Sequence, residues 1–195
     1  MTIIGHLQKN IISKIIIYNA GKNRAENMVN IFKPFLNKKD KIIDIGAGVC
    51  NICEVLQKNK YRVIPIDVTN LSFIKNIKPL IYDGKKIPFK ANTFDKALIL
   101  TVLHHVRHPE KIIQEAKRVA KEIIIVEDIY SNWFHKYLTY FFDSLLNLEF
   151  IGHPHSNKSD REWQKTFKKL GLKLIDVKYN QSFLIFKHAT YYLKK

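Results

Sequence analysis

Three aspartates and a pair of glycines stand where a nucleoside could be gripped. Asp44-Ile-Gly46-Ala-Gly48 follows the short apolar run 41–45. Asp67 comes 19 residues after Gly48, at the end of the apolar run 62–66, and Asp83 ends the run 79–82. Glycine lets a ligand approach the backbone without meeting a Cβ. A carboxylate at the second position can accept hydrogen bonds from both hydroxyls of a ribose. One at the third can accept a bond from an exocyclic amine. Each feature has a plainer alternative: a structural turn for the glycines, and capping of the following helices for the acids. The dinucleotide fingerprint is incomplete, because Asn51 stands where its third glycine belongs, so no tight pyrophosphate turn is expected.

What positions these residues is an alternation of short apolar runs with helical patterns. Ile4, Leu7, Ile11 and Ile15 recur at helical spacing, and a second helix is predicted from Asn23 with Glu26 three residues on. Pro34 should end it. Strands follow at 41–45, 62–66, 79–82, 96–101 and 122–127, with helices at 49–58 and from Pro109. In the latter, Ile112, Ile113, Ala116, Val119 and Ala120 share a face. Strands that are apolar throughout and alternate with helices predict an α/β open sheet, mostly parallel and covered on both faces. Ligands of such sheets bind beyond the carboxyl ends of the strands. In the tail, Ser159-Asp-Arg-Glu162 is a capping box that opens a helix closed by Gly171. Runs 172–179 and 183–193, joined by Asn180-Gln181-Ser182, predict an antiparallel hairpin.

With 195 residues, 46% of them hydrophobic, the chain is expected to form one domain with its own core, not a disordered segment or a disulfide scaffold. The division expected is a helical cap at 1–39, a ligand-binding core at 40–128, a helical insertion at 129–158, and a helix with hairpin at 159–195. Lys and Arg number 33 against 17 Asp and Glu, a formal charge of +16. That surplus invites a polyanion, yet Lys, Ile and Asn all have AT-rich codons, so genome bias is an equal account. No apolar run suits a signal peptide or a membrane span. Cys50 and Cys53 stand one helical turn apart, and a reducing cytoplasm is expected.

Other groups carry chemistry of their own. Cys50-Asn-Ile-Cys53 has redox spacing at a helix start, but small inward-facing residues are the better reading. His104, His105 and His108 cluster after the fourth strand, where a general base or substrate contact is favoured over a metal site; no metal is expected. His153-Pro-His155 reads as a loop contact to substrate. In the insertion, Phe134, Leu138, Phe141, Leu145 and Leu148 follow one helical face, widened by Trp133, Tyr137, Tyr140 and Phe142. Core, a membrane-surface helix and a lid over an apolar acceptor compete there, with Tyr137 and Tyr140 as the substrate contacts of a lid.

Asp44-x-Gly-x-Gly48, Asp67, Asp83-Gly84, Ile87-Pro-Phe89, Phe94-Asp95 and Leu103-His-His-Val106 together resemble the class I S-adenosylmethionine-dependent methyltransferases, type 11 branch. The resemblance covers about residues 40–128. It implies a Rossmann-like sheet of seven strands whose last hairpin is reversed. It implies S-adenosylmethionine as cofactor, with Asp44, Gly46, Ala47 and Gly48 flanking the methionine portion and Asp67 with Val68 at the ribose. Asp83 and Gly84 would lie against the adenine, Thr101 would close the pocket, and Arg24 would meet the cofactor carboxylate. One departure is the absence of a Pro-Gly-Gly turn before the fifth strand, where Val119-Ala-Lys-Glu122 stands. No Asn/Asp-Pro-Pro-aromatic sequence follows the fourth strand, which disfavours amino-methylating nucleic-acid enzymes. The expected function is methyl transfer to a small, partly apolar acceptor, with His104 or His105 as base where the acceptor must lose a proton. The alternatives are an RNA or other nucleic-acid methyltransferase, favoured by the charge, and a non-catalytic cofactor-binding protein. The oligomeric state is left open.

Overall fold

Each apolar run expected to be a strand joins one sheet in the computed structural model, which describes residues 11–72, 74–130, 158–182 and 186–195. The strands are β1 (Lys41–Ile45), β2 (Arg62–Asp67), β3 (Leu80–Ile81), β4 (Phe94–Leu100), β5 (Ala120–Ile129), β6 (Lys173–Ser182) and β7 (Phe186–Lys194). Their order is β3-β2-β1-β4-β5-β7-β6. The first five run parallel, and β7 pairs antiparallel with both β5 and β6. The order reverses between β1 and β4, so a crevice opens beyond their carboxyl ends. This is the expected Rossmann-like architecture, closed at one side by the reversed hairpin.

Isoleucine and valine dominate the central strands because both faces are buried. On one face Ile43, Ile99, Ile123 and Ile125 pack with Ile113, Trp163 and Phe167. These last belong to α3 (Pro109–Val119) and α4 (Asp160–Lys169), whose apolar positions fall on one side of each helix. On the other face Ile42, Leu98, Ile124 and Val126 pack with Ala25, Val29, Phe32 and Leu56. These come from α1 (Ile11–Phe32) and α2 (Asn51–Lys58). Each such side chain contributes about 1.5–3 kcal/mol on full burial, so the alternation fixes which residues can reach each face.

Three boundaries differ from expectation. The sequence predicts a helix break before Asn23, but α1 runs unbroken from Ile11 to Phe32. Gly21 and Asn23 cost such a helix only about 1 kcal/mol, which the buried stripe Ala25-Val29-Phe32 outweighs. Pro34 does end it, in a tight 3-10 turn over Lys33–Phe35. The third strand shrinks to two exposed residues at the sheet edge, Leu80 and Ile81. By contrast β5 runs on to Ile129, because β7 keeps pairing with it as far as Ile129↔Lys187. Among the described residues no helix is long and apolar enough to cross a membrane.

Candidate active site

The turn after β1 is built from residues with left-handed backbones. Gly46 has φ +78° and Gly48 φ +52°. The backbone N–H groups of Gly46 and Ala47 donate to the Ile66 carbonyl at 2.9 and 3.1 Å, tying this turn to β2. A Cβ on Gly46 would strike Val102 at 2.6 Å, whereas one on Gly48 would meet nothing within 4 Å. Gly46 is thus required by packing, and Gly48 leaves open space at the mouth. A third left-handed residue is Cys50, φ +64°. The position with glycine-like geometry is therefore 50, one residue before the place the dinucleotide spacing singles out.

Asp67 joins the two strand ends. Its Oδ2 accepts from the Gly48 N–H at 2.7 Å, and its Oδ1 from Val68 N–H at 2.7 Å and Thr69 N–H at 3.3 Å. Four lone-pair positions on a carboxylate leave capacity for a hydroxyl donor as well. Asp44 is buried beneath, accepting a hydrogen bond from the Cys53 thiol at 3.1 Å. Burial pushes its carboxyl up to about 6; the Cys53 bond opposes this, and the charge of Asp67 adds to it. Burial likewise pushes the Cys50 thiol up to about 11 and Cys53 well above the ordinary thiol range. Neither cysteine holds the thiolate that redox chemistry needs, so the small, inward-facing reading stands.

Val68, Asp83 and Gly84 come together as one lip. Gly84 (φ +72°) would place a Cβ 3.0 Å from the Val68 side chain, and Val68 is itself exposed. Asp83 is exposed and accepts from the backbone N–H groups of Lys85 and Lys86 at 2.8 and 3.0 Å, bonds that hold it below the usual carboxylate range. The capping role weighed for Asp83 is thus present in the geometry. Thr101, φ +55°, donates its N–H to the Val126 carbonyl at 2.7 Å where β4 ends. Arg24 lies exposed on α1, and its charge reaches Asp128 at the end of β5.

His104 and His105 diverge. His104 is buried, and its Nδ1 sits 2.7 Å from Glu127 Oε2. The other oxygen of Glu127 accepts from the N–H groups of Val102 and Leu103 at 2.9 and 2.6 Å. This fully buried carboxylate therefore anchors the turn after β4, with His104 as part of the anchor. His105 is exposed. Among the described residues no group of three His, Cys, Asp or Glu could hold a metal. Tyr137, Tyr140, His153 and His155, and the insertion that carries the first two, lie outside the described residues.

Sequence reasoning passed over two pairs. One is Asn51, a buried amide whose Nδ2 and Oδ1 both lack a hydrogen-bond partner among the described residues, packed against Gly21. Gly21 of α1 presses on it so closely that a Cβ there would lie 2.3 Å from Nδ2. The other is Asp128 and His188, in ion-pair contact at 2.5 Å from Oδ1 to Nδ1. No spacing in the sequence links residues 60 apart; only the antiparallel register Asp128↔His188 does.

Residues 43–123 match the type 11 model of the family described as "Methyltransferase domain". This segment is similar to a methyltransferase domain. The uncharacterized protein MJ1123 of Methanocaldococcus jannaschii is 34% identical over 83 residues; the match spans 43% of this chain and 40% of that relative. Among solved structures, a SAM-dependent methyltransferase from Aquifex aeolicus superposes with a TM-score of 0.60 at 20% identity, covering 88% of this chain and 89% of that one. The magnesium protoporphyrin IX methyltransferase of Synechocystis, solved with bound SAH, gives 0.64 at 14% identity, covering 95% and 88%. These likenesses establish the class I methyltransferase fold. The turn after β1 also suits a nucleoside bearing an amino acid tail. Open space lies over Gly48, a carboxylate with spare lone pairs stands at Asp67, and the unpaired Asn51 amide lies beside the turn.

Proposed function

We propose that this chain is an S-adenosylmethionine-dependent methyltransferase acting on a small, partly apolar acceptor. The observation that carries the reading is Asp67, which accepts the Gly48 N–H and so fixes an acid and an uncrowded glycine turn side by side at the sheet's reversal point. The cofactor is S-adenosylmethionine. When bound, it supplies a methyl group on a sulfonium, already a good leaving group.

The chain's residues do the positioning. Asp67 and Val68 hold the ribose, Val68, Asp83 and Gly84 form the adenine lip, and Thr101 closes the wall. Asp44, Gly46, Ala47 and Gly48 flank the methionine portion, and Arg24 faces its carboxylate. Alignment of the acceptor with the methyl group is the main catalytic task, and well-oriented reactants can save about 7–11 kcal/mol of barrier. The cofactor core at 40–128 is followed by a closing helix and hairpin at 159–195, and the expected insertion at 129–158 lies almost wholly outside the described residues. The reading places it in the cytoplasm.

Calorimetry with S-adenosylhomocysteine, the product form of the cofactor, tests this. The intact chain should bind it, and Asp67→Ala should weaken it roughly 10- to 150-fold, the worth of charge-assisted hydrogen bonds of about 1.5–3 kcal/mol. Failure of the intact chain to bind overturns the proposal, and unchanged affinity in the variant removes Asp67 from the site. Steeply salt-dependent RNA binding would instead favour a nucleic-acid acceptor.

A further inference from the structure

Beyond the strand ends, one pair of ionisable side chains is unaccounted for by fold or cofactor. β4 ends at Leu100, whose ladder partner is Val126, and Val126 in turn pairs with Thr190 of β7. Asp128 and His188 stand opposite each other one pleat further on, about 7 Å past that row. They therefore lie at the mouth of the sheet, Asp128 two strands and His188 three strands from β1, about 10 Å and about 14 Å to the side of its glycine turn. Side chains alternate along a strand, so Asp128 shares the face of Ile124 and Val126, the face covered by α1 and α2. Asp44 lies on this face too, since it alternates with Ile43 and Ile45 of the opposite cluster. Glu127 and His104 belong to that opposite face.

The pair has the geometry of a held base. Asp128 is nearly buried, with a side chain 8% exposed, while His188 keeps 16%. With Oδ1 2.5 Å from Nδ1 and neither atom otherwise hydrogen-bonded among the described residues, the proton is favoured on Nδ1, which leaves the lone pair on Nε2. Burial raises the Asp128 carboxyl, but the His188 contact and the Arg24 guanidinium outweigh it and hold the group below the usual carboxylate range. Among the described residues, β6 sets the neutral Asn180 opposite His188, with Lys178 two residues along. The Lys178 ammonium is turned away, over the Phe35 ring.

We propose that His188, oriented by Asp128, is the catalytic base of this methyltransferase, and that its acceptor is a hydroxyl compound. The inference rests on the methyltransferase reading and goes beyond it by naming the atom methylated. The acceptor's O–H proton passes to Nε2 of His188, and an oxygen lone pair forms the bond to the methyl carbon. The carbon–sulfur bond breaks with its electron pair remaining on sulfur. The positive charge that left the sulfonium is then carried by the imidazolium, which returns its proton to water. An ordinary amine brings its own lone pair and leaves such a base without work; a phenol or alcohol does not. Asp128 acts through His188 as a positioning residue.

Two measurements on the full chain test this. Long-range nitrogen–proton NMR above neutral pH should show His188 in the Nδ1–H tautomer, and Asp128→Asn should erode that preference. An Nε2–H tautomer in the intact chain overturns the proposal whatever acceptor is found. Methyl transfer to phenol and to thiophenol, the latter ionised near neutral pH, supplies the second. His188→Gln should lower kcat on phenol by about 10²–10⁴-fold, with far less loss on thiophenol and unchanged KM. Equal losses on both, or methylation by the intact chain of thiophenol only, would also overturn it. Calorimetry with S-adenosylhomocysteine separates the failures: a variant that still binds it has lost the base and not the cofactor site.

Discussion

Removing the charge of Asp44 should stabilise the protein while weakening its site. Asp44 is fully enclosed and its carboxyl is raised from 3.8 to about 6, chiefly by burial. A proton is therefore held more tightly in the folded than in the unfolded state. Below about pH 4 the group is neutral in both, and nothing is lost. Between pH 4 and 6 the unfolded chain ionises first, so stability falls as pH rises. Above pH 6 the penalty is complete, at about 3 kcal/mol. Asp44→Asn abolishes it but buries an amide NH2 in its place, at a cost of about 1 kcal/mol. The net gain at pH 7 should be about 2 kcal/mol, or about 4–8 °C in Tm for a domain of this size.

Thermal unfolding followed by circular dichroism, for both proteins between pH 4 and 7.5, provides the test. The variant should melt higher at neutral pH, and the advantage should vanish or reverse towards pH 4. A variant less stable at pH 7, or a gap independent of pH, would refute the account of Asp44 as a strained buried charge. Its affinity for S-adenosylmethionine should fall about tenfold, equivalent to about 1.4 kcal/mol of lost attraction to a cation. Stability and binding then move in opposite directions, as at sites kept charged for function.

Three other changes separate architecture from function. Gly48→Ala meets no atom within 4 Å, so only its left-handed backbone is strained, and urea titration should show a loss of about 1–2 kcal/mol, while calorimetry should show S-adenosylhomocysteine binding largely lost. Lys60, φ +63°, closes α2 with its N–H on the Gln57 carbonyl and the Tyr61 N–H on that of Leu56. Lys60→Gly should raise stability by about 0.5–1 kcal/mol in the same titration without touching cofactor affinity. Glu127→Ala strips the partner from two backbone N–H groups and His104, and should cost about 3 kcal/mol or more, with amide exchange accelerated at Val102 and Leu103.

The sheet was legible because its strands are continuous apolar runs, and a helix-covered parallel strand can hardly be anything else. Strand ends were less so: Pro79 to Tyr82 reads as a strand, but only Leu80 and Ile81 pair, since no further strand lies beyond this edge. The two-helix reading of the N-terminal segment failed because Asn23 and Glu26 carry a local start signal that the packing of Ala25, Val29 and Phe32 overrides. At the site, the residues that announce themselves are those whose spacing is local, Asp44 to Gly48 and the acid 19 positions on. The His104-His105 motif was visible, yet the burial of His104 against Glu127 was not, because their contact spans 23 residues and depends on how β4 and β5 align. The pairing of Asp128 with His188 left no trace for the same reason. A histidine in a strand acquires meaning only from the residue the register sets opposite it.

Charge organises what the register assembles. The chain carries +16, a surface that repels a cation such as a sulfonium. Yet Asp44, Asp67, Glu127 and Asp128, all largely buried, gather towards the carboxyl ends of the parallel strands β1, β2 and β5. Field from exposed lysines is screened within about 8 Å at physiological salt, whereas charges set in low-dielectric walls are screened far less. A cation arriving at the mouth is thus governed by the nearby acids and not by the distant surplus. The same reasoning gives transfer a direction. Once the methyl group has moved, the sulfur is neutral, the attraction that held the sulfonium is gone, and the proton's charge rests on His188 beside Asp128. Raising salt should therefore leave S-adenosylmethionine binding unchanged or slightly weaker, and S-adenosylhomocysteine binding almost unaffected. Marked strengthening of S-adenosylmethionine binding with salt would mean that the basic surface, not the buried acids, sets the potential at the site.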